Sequence, residues 1–101
     1  MNYSISNYQA DIRRSIELCE IEIKNRKNGI SGESTIEQIE DTILPELTKL
    51  LQNISTGDLP PERDRYLLSF AYAFKVWGWD MQNPTDLFIS LTELNNNYKK
   101  L

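Results

Sequence analysis

Apolar residues recur along most of this chain at spacings of three and four, the period that stacks side chains on one face of an α-helix. The first such stripe, Ile5, Tyr8, Ile12, Ile16, Cys19 and Ile23, predicts a helix over about 7–28. Ser6 and Gln9 have the spacing of a capping box, in which hydroxyl and amide satisfy each other's unpaired backbone N–H groups. Asn28-Gly29 supplies the stop, because glycine accepts the left-handed backbone that a helix terminus often needs. After the loop Gly29-Ile30-Ser31-Gly32, a second box, Ser34 to Glu37, opens a stripe of Ile36, Ile39, Ile43, Leu47, Leu50 and Ile54. Pro45 lies inside it, lacking an N–H and pressing on the Asp41 carbonyl. The stripe keeps its phase across the proline, which predicts one kinked helix rather than two.

Gly57 ends that helix, and Leu59-Pro60-Pro61 leads stiffly into a third, expected over about 61–77 with proline in its first turn. Leu67, Phe70, Ala71, Phe74 and Trp77 share one of its faces, and Tyr66, Leu68, Ala73 and Val76 carry apolar character round most of the circumference. Such a helix is expected to be covered on several sides and so to be the central one. Gly78 breaks it. Asn83 as cap and Pro84 in the first position open the fourth helix, whose stripe is Leu87, Leu91, Leu94 and Tyr98. No segment alternates apolar and polar residues long enough for a strand. The fold class is all-α: a compact four-helix bundle with the second helix kinked at Pro45, forming a single helical domain over residues 1–101.

Composition narrows the chemistry more than the fold. The 101 residues suffice for one core, and 40% hydrophobic with 26% charged residues suits a soluble globular domain. There is no histidine, the commonest acid/base and zinc ligand at neutral pH, so histidine-dependent triads and metal sites are excluded. The single cysteine, Cys19, has no partner for an internal disulfide and falls on an apolar stripe, as an inert core residue does. No basic patch precedes an apolar run and no apolar stretch approaches membrane-spanning length, so the expected location is cytoplasmic, without membrane association. Asn2-Tyr3-Ser4 and Asn53-Ile54-Ser55 match the glycosylation pattern, which has meaning only in a secreted chain.

Charge is uneven. Residues 1–28 carry five basic and four acidic groups, residues 29–59 one basic and six acidic, and residues 60–101 five of each, within a net charge of −4. The acid is concentrated where Glu33, Glu37, Glu40 and Asp41 fall within about a third of the helical circumference beside the apolar stripe. A solvated face with acids favoured at a helix start is the plain account of such a run. The functional account is a docking surface for a basic protein. Mg²⁺ held by Glu37, Glu40 and Asp41 is a further alternative. All-α nucleotide pyrophosphohydrolases that use helical carboxylates this way need a second acidic cluster on a facing helix, however, and Asp80, Asp86 and Glu93 are scattered. No metal site, cofactor or catalytic set is therefore expected.

Six of the ten aromatic residues lie between Tyr66 and Trp79. Phe70, Phe74 and Trp77 belong to the expected buried face. Tyr72 projects away from it and Trp79 follows the break at Gly78, so these two are candidate partner-binding anchors, Trp79 being equally suited to the core. Basic residues of the first helix are nearly cancelled by interleaved acids, Glu20 to Lys24 and Glu22 to Arg26 reading as i,i+4 pairs, so nucleic acid is not an expected partner. Leu18, Ile21 and Ile89 lie outside the four stripes and are candidates for self-association, with a homodimer as the consequence. The expectation is a non-enzymatic protein-binding domain, of the immunity or antitoxin kind, docking its acidic helix face on a basic partner such as a toxin nuclease. The alternative is a small self-associating regulatory or scaffolding protein.

Overall fold

The computed structural model describes residues 3–101, so the Asn2 glycosylation pattern lies outside the described residues. It is all-helical there, with no strand. Helix α1 spans Ile5–Lys27. Helix α2, Ile36–Gln38, passes through a π-helical turn, Ile39–Ile43, into α3, Leu44–Ser55. A 3₁₀ turn, Glu62–Asp64, precedes α4, Leu68–Lys75, and the chain closes with α5, Asp86–Tyr98. Counting the continuous α2–α3 rod as one, four helices make a compact bundle.

The central helix is α1 and not the expected third one. At about 1.5 Å per residue its 23 residues run for about 35 Å, which sets the 39 Å long axis of the molecule. It packs on α3 along one side and on α5 along another. Double coverage explains why Leu18, outside the expected stripe, is buried together with Tyr8, Ile12 and Cys19, whereas Ile5 at the helix start is exposed. Ser15, fully buried, lets α1 and α5 approach closely: its hydroxyl donates to the Asp11 carbonyl and meets the Ser90 hydroxyl across the interface. Two turns earlier on α1, the Tyr8 hydroxyl donates to the Leu94 carbonyl at 2.7 Å.

Of the second stripe, Ile39, Ile43, Leu47, Leu50 and Ile54 are buried, and Ile36 at its start is half-buried. Pro45 does not divide the rod. Just before it the backbone widens by one residue, the Leu44 N–H bonding the Ile39 carbonyl five positions back. A π turn of this kind accommodates the missing proline donor without ending the helix.

Both expected capping boxes are displaced. Ser4 and Asn7, not Ser6 and Gln9, cap α1. Thr35 and Gln38, not Ser34 and Glu37, cap α2. Ser34 is engaged elsewhere: Arg26 donates through Nε to its carbonyl at 2.7 Å and through Nη2 to its hydroxyl at 3.3 Å. The same guanidinium bonds the Ile30 carbonyl and pairs with Glu22, clasping the loop between α1 and α2. At α5 the cap is Thr85, whose hydroxyl accepts the Phe88 N–H, in place of Asn83.

The expected helix over 61–77 is the largest correction. After the 3₁₀ turn the backbone leaves helical geometry at Arg65, whose Nε donates to the Pro60 carbonyl at 2.9 Å. Helix α4 begins only at Leu68, where acceptors arrive from other elements. Glu46 of α3 takes the Leu68 and Ser69 N–H groups, both at 2.7 Å, and the Ser69 hydroxyl. Asn95 of α5 takes the Leu67 N–H at 2.9 Å. Gly78, at φ +67°, turns the chain so that the Trp79 N–H reaches the Ala73 carbonyl and ends the helix. Helix α4 is a cover on α5. Leu67, Ser69 and Ala73 are buried, Ser69 against Glu46 of α3, while Phe70, which meets Phe88 of α5, is half-buried and Phe74 is exposed, contrary to the expected aromatic inner face.

Candidate protein-docking surface

The four carboxylates of the expected acidic ridge do not act together. Glu33 is half-buried and turned inward: one carboxylate oxygen accepts the Asp80 N–H at 2.7 Å, and the other is buried without a partner. It ties the start of α2 to the loop after α4 and leaves the ridge. Glu37, Glu40 and Asp41 remain exposed. Because Thr35 and Gln38 form the α2 cap, Glu37 is not committed to the helix terminus. Among the described residues the only ion pairs are Arg14–Glu17 and Arg26–Glu22, so these three carboxylates have no basic group within 4 Å. The expected Glu20–Lys24 pair does not form.

The aromatic residues form a chain of ring contacts. Tyr72 stacks on Trp77 with centroids 5.8 Å apart, Trp77 meets Trp79 at 5.6 Å, and Trp79 stands edge-on to Phe88 at 5.6 Å. Phe88 then meets Phe70, and Phe70 meets Phe74. The two ends, Tyr72 and Phe74, are exposed, while Trp79 and Phe88 in the middle are buried. Trp79 is therefore core and not a free anchor, and its indole N–H, like the second oxygen of Glu33, is buried without a partner. Tyr72 keeps an exposed ring, as expected of an anchor.

Exposed large hydrophobic residues are concentrated in the same region. Tyr66, Leu68, Tyr72, Phe74, Val76 and Met81 fall within sixteen residues of sequence and are 40–66% accessible. Two of them, Phe74 and Met81, line an open apolar groove of about 290 Å³ between α4 and α5, together with Phe70, Phe88, Pro84 and Ile89. On the other side of α5, Leu18 and Ile89 line a smaller depression with Asp11, Arg14, Asp86 and Glu93. The self-association candidates thus separate: Leu18 is buried, Ile89 is exposed beside it, and Ile21 is exposed without lining either hollow. Sequence periodicity missed the groove because its walls come from two helices and a loop. It also passed over Asp86 and Glu93, although their seven-residue separation puts them on one face of α5.

The Cys19 thiol is pushed up to about 12 by burial, with the Glu20 and Glu22 carboxylates adding to the shift, so it is a neutral thiol at pH 7. Tyr3, Tyr8 and Tyr98 are also raised, each chiefly by burial. Among the described residues no three cysteine or carboxylate side chains converge as a metal site requires, and no helix is long and apolar enough to cross a membrane. Comparison with protein-family models, with curated proteins and with solved structures finds no match to this chain.

Proposed function

We propose that this chain is a non-enzymatic protein-binding domain of the immunity or antitoxin kind, which docks on a basic partner such as a toxin nuclease. The observation that carries the reading is the pairing of two surface features. Glu37, Glu40 and Asp41 stand exposed with no ion-pairing base among the described residues, and six exposed large hydrophobic residues, Tyr66, Leu68, Tyr72, Phe74, Val76 and Met81, lie on α4 and its flanks. Unpaired carboxylates on one helix repel by a few tenths of a kcal/mol per pair, a cost that a basic partner relieves. They also steer its approach, and such fields raise association rates by about 10- to 1,000-fold at low salt. Apolar side chains at the contact supply the residence time that rim charges do not.

Affinity capture from the native cell, followed by binding kinetics on the captured protein, tests this. Glu37→Lys with Asp41→Lys should slow association by about tenfold or more and weaken its dependence on salt, with helicity and melting temperature unchanged. Unaltered association by that variant, or loss of folding, counts against the acidic face.

Self-association as a regulatory or scaffolding protein is a second reading, favoured by the exposure of Ile21 and Ile89. Sedimentation decides it: a mass that rises with concentration and is reset by Ile89→Glu supports it, and a constant monomer mass excludes it. Leu18→Glu is not a usable probe, because Leu18 is buried and its replacement would disturb the core.

A further inference from the structure

Asp86, Ile89, Ser90 and Glu93 follow one another on α5 at helical spacing and form one row. The two carboxylates are exposed and lie about 10 Å apart along the axis, seven residues at 1.5 Å each. Ile89, exposed, stands between them, and together with Glu93 it borders both the apolar groove toward α4 and the smaller depression toward α1. We propose that this row and the adjoining groove are the docking site for a basic amphipathic helix of the partner. Its apolar side chains seat over Phe70 and Phe88, and its flanking lysine or arginine side chains reach Asp86 and Glu93. The proposal rests on the reading of a domain that binds a basic protein, and it locates the anchor of that contact away from the acidic turn at Glu37 to Asp41.

Charge selects the occupant. Around Ile89 stand three carboxylates, Asp11, Asp86 and Glu93, against one guanidinium, Arg14, which is itself 3.4 Å from Glu17. A second copy of this chain set face to face would bring a negative rim against a negative rim. A basic segment neutralises it. The size of the hollow agrees: about 290 Å³, open along its length, suits one or two side chains of a helix lying across it, since pockets that enclose a small molecule start near 300 Å³ and surround most of it. An apolar stripe with cations one turn to either side is the pattern by which an amphipathic helix fills such a groove.

The probe is a fluorescein-labelled, amidated fifteen-residue alanine-based peptide with three leucines on one helical face and lysines bordering that face. A permuted peptide of the same composition, with leucines scattered round the helix, is the control. The ordered peptide should bind the intact protein about tenfold more tightly than the permuted one and shift the backbone amide resonances of Phe74, Met81 and Ile89. Asp86→Lys with Glu93→Lys, both at exposed positions, should weaken it by about tenfold or more at unchanged melting temperature, and Phe74→Ser by a comparable factor. Equal binding of the two peptides, no binding, or resonance shifts confined to residues 37–41 would each overturn the groove. In the last case the wider reading of a basic partner survives, because that is tested separately by capture and by Glu37→Lys with Asp41→Lys.

Discussion

Replacing Glu46 by alanine removes the device that starts α4. Its carboxylate accepts the Leu68 and Ser69 N–H groups, each at 2.7 Å, and the Ser69 hydroxyl at 2.5 Å. Hydrogen bonds to a charged group are worth about 1.5–3 kcal/mol each, but three donors on one carboxylate do not add in full. Leu68 is exposed, so water can replace its lost acceptor, whereas Ser69 is fully buried and its donors would be stranded at about 1–3 kcal/mol. The expected loss is therefore about 2–3 kcal/mol, out of the 5–15 kcal/mol that stabilise a typical domain. At 4–8 °C per kcal/mol for a chain of this size, the melting temperature should fall by about 10–20 °C. Glu46→Gln keeps one acceptor but turns its NH₂ group toward a donor, and should cost about half as much. Urea unfolding at constant m-value measures the total, and amide hydrogen exchange locates it at Leu68 and Ser69. A loss below about 0.5 kcal/mol with unchanged protection of the Ser69 amide would refute the claim that a tertiary cap, and not local propensity, starts this helix.

The Arg26 clasp makes a paired expectation. A methyl group on Gly32 would overlap the Arg26 guanidinium and displace it from its bonds to Ile30 and Ser34. Gly32→Ala and Arg26→Ala should each cost about 1–3 kcal/mol in urea unfolding, and the double variant no more than the worse single one; additive losses would show that the two do not share one interaction. Alkaline pH should destabilise the fold. The Cys19 thiol ionises near its ordinary value of 9.0 in the unfolded chain and at about 12 in the native one. Between these values the native state holds the proton and the unfolded state does not, so stability is retained below about 9 and falls with rising pH by up to about 1.4 kcal/mol per unit. The raised tyrosines act in the same sense above their ordinary value of 10.0. Urea midpoints should fall more steeply above pH 9 in the native sequence than in Cys19→Ala, and equal slopes would contradict the burial argument.

The expected apolar stripes of α3 and α5 are buried as read, because a period of three and four is a local property that any helix turns into a face. Helix boundaries and caps were less legible. Ser34 and Thr35 both have the chemistry of a cap, and what separates them is Arg26, eight residues upstream of Ser34 and brought to it only when α1 is complete. The same limit applied to the candidate surface. Tyr72 and the carboxylates at 37, 40 and 41 are exposed as expected, since a polar or off-stripe position on an amphipathic helix faces solvent unless another element covers it. Glu33 and Trp79 met such an element: the start of α2 and the loop after α4 come together, and both side chains are drawn inward there.

Taken alone, the order of residues determines that this chain is helical, which faces of its rods are apolar, and that it lacks histidine and any internal disulfide. Which helix is central was decided only by assembly. The length of α1 lets it be covered on two sides, while α4, the most apolar segment by composition, is shortened to eight residues and left as an outer cover. The physical reason is that helix ends need acceptors and donors from somewhere. For α4 they come from Glu46 and Asn95, 22 and 28 residues distant in the chain, and no window of local sequence contains them. The exposed aromatic surface and the groove beside α5 exist because that distant cap sets where α4 begins and therefore which of its faces is left uncovered.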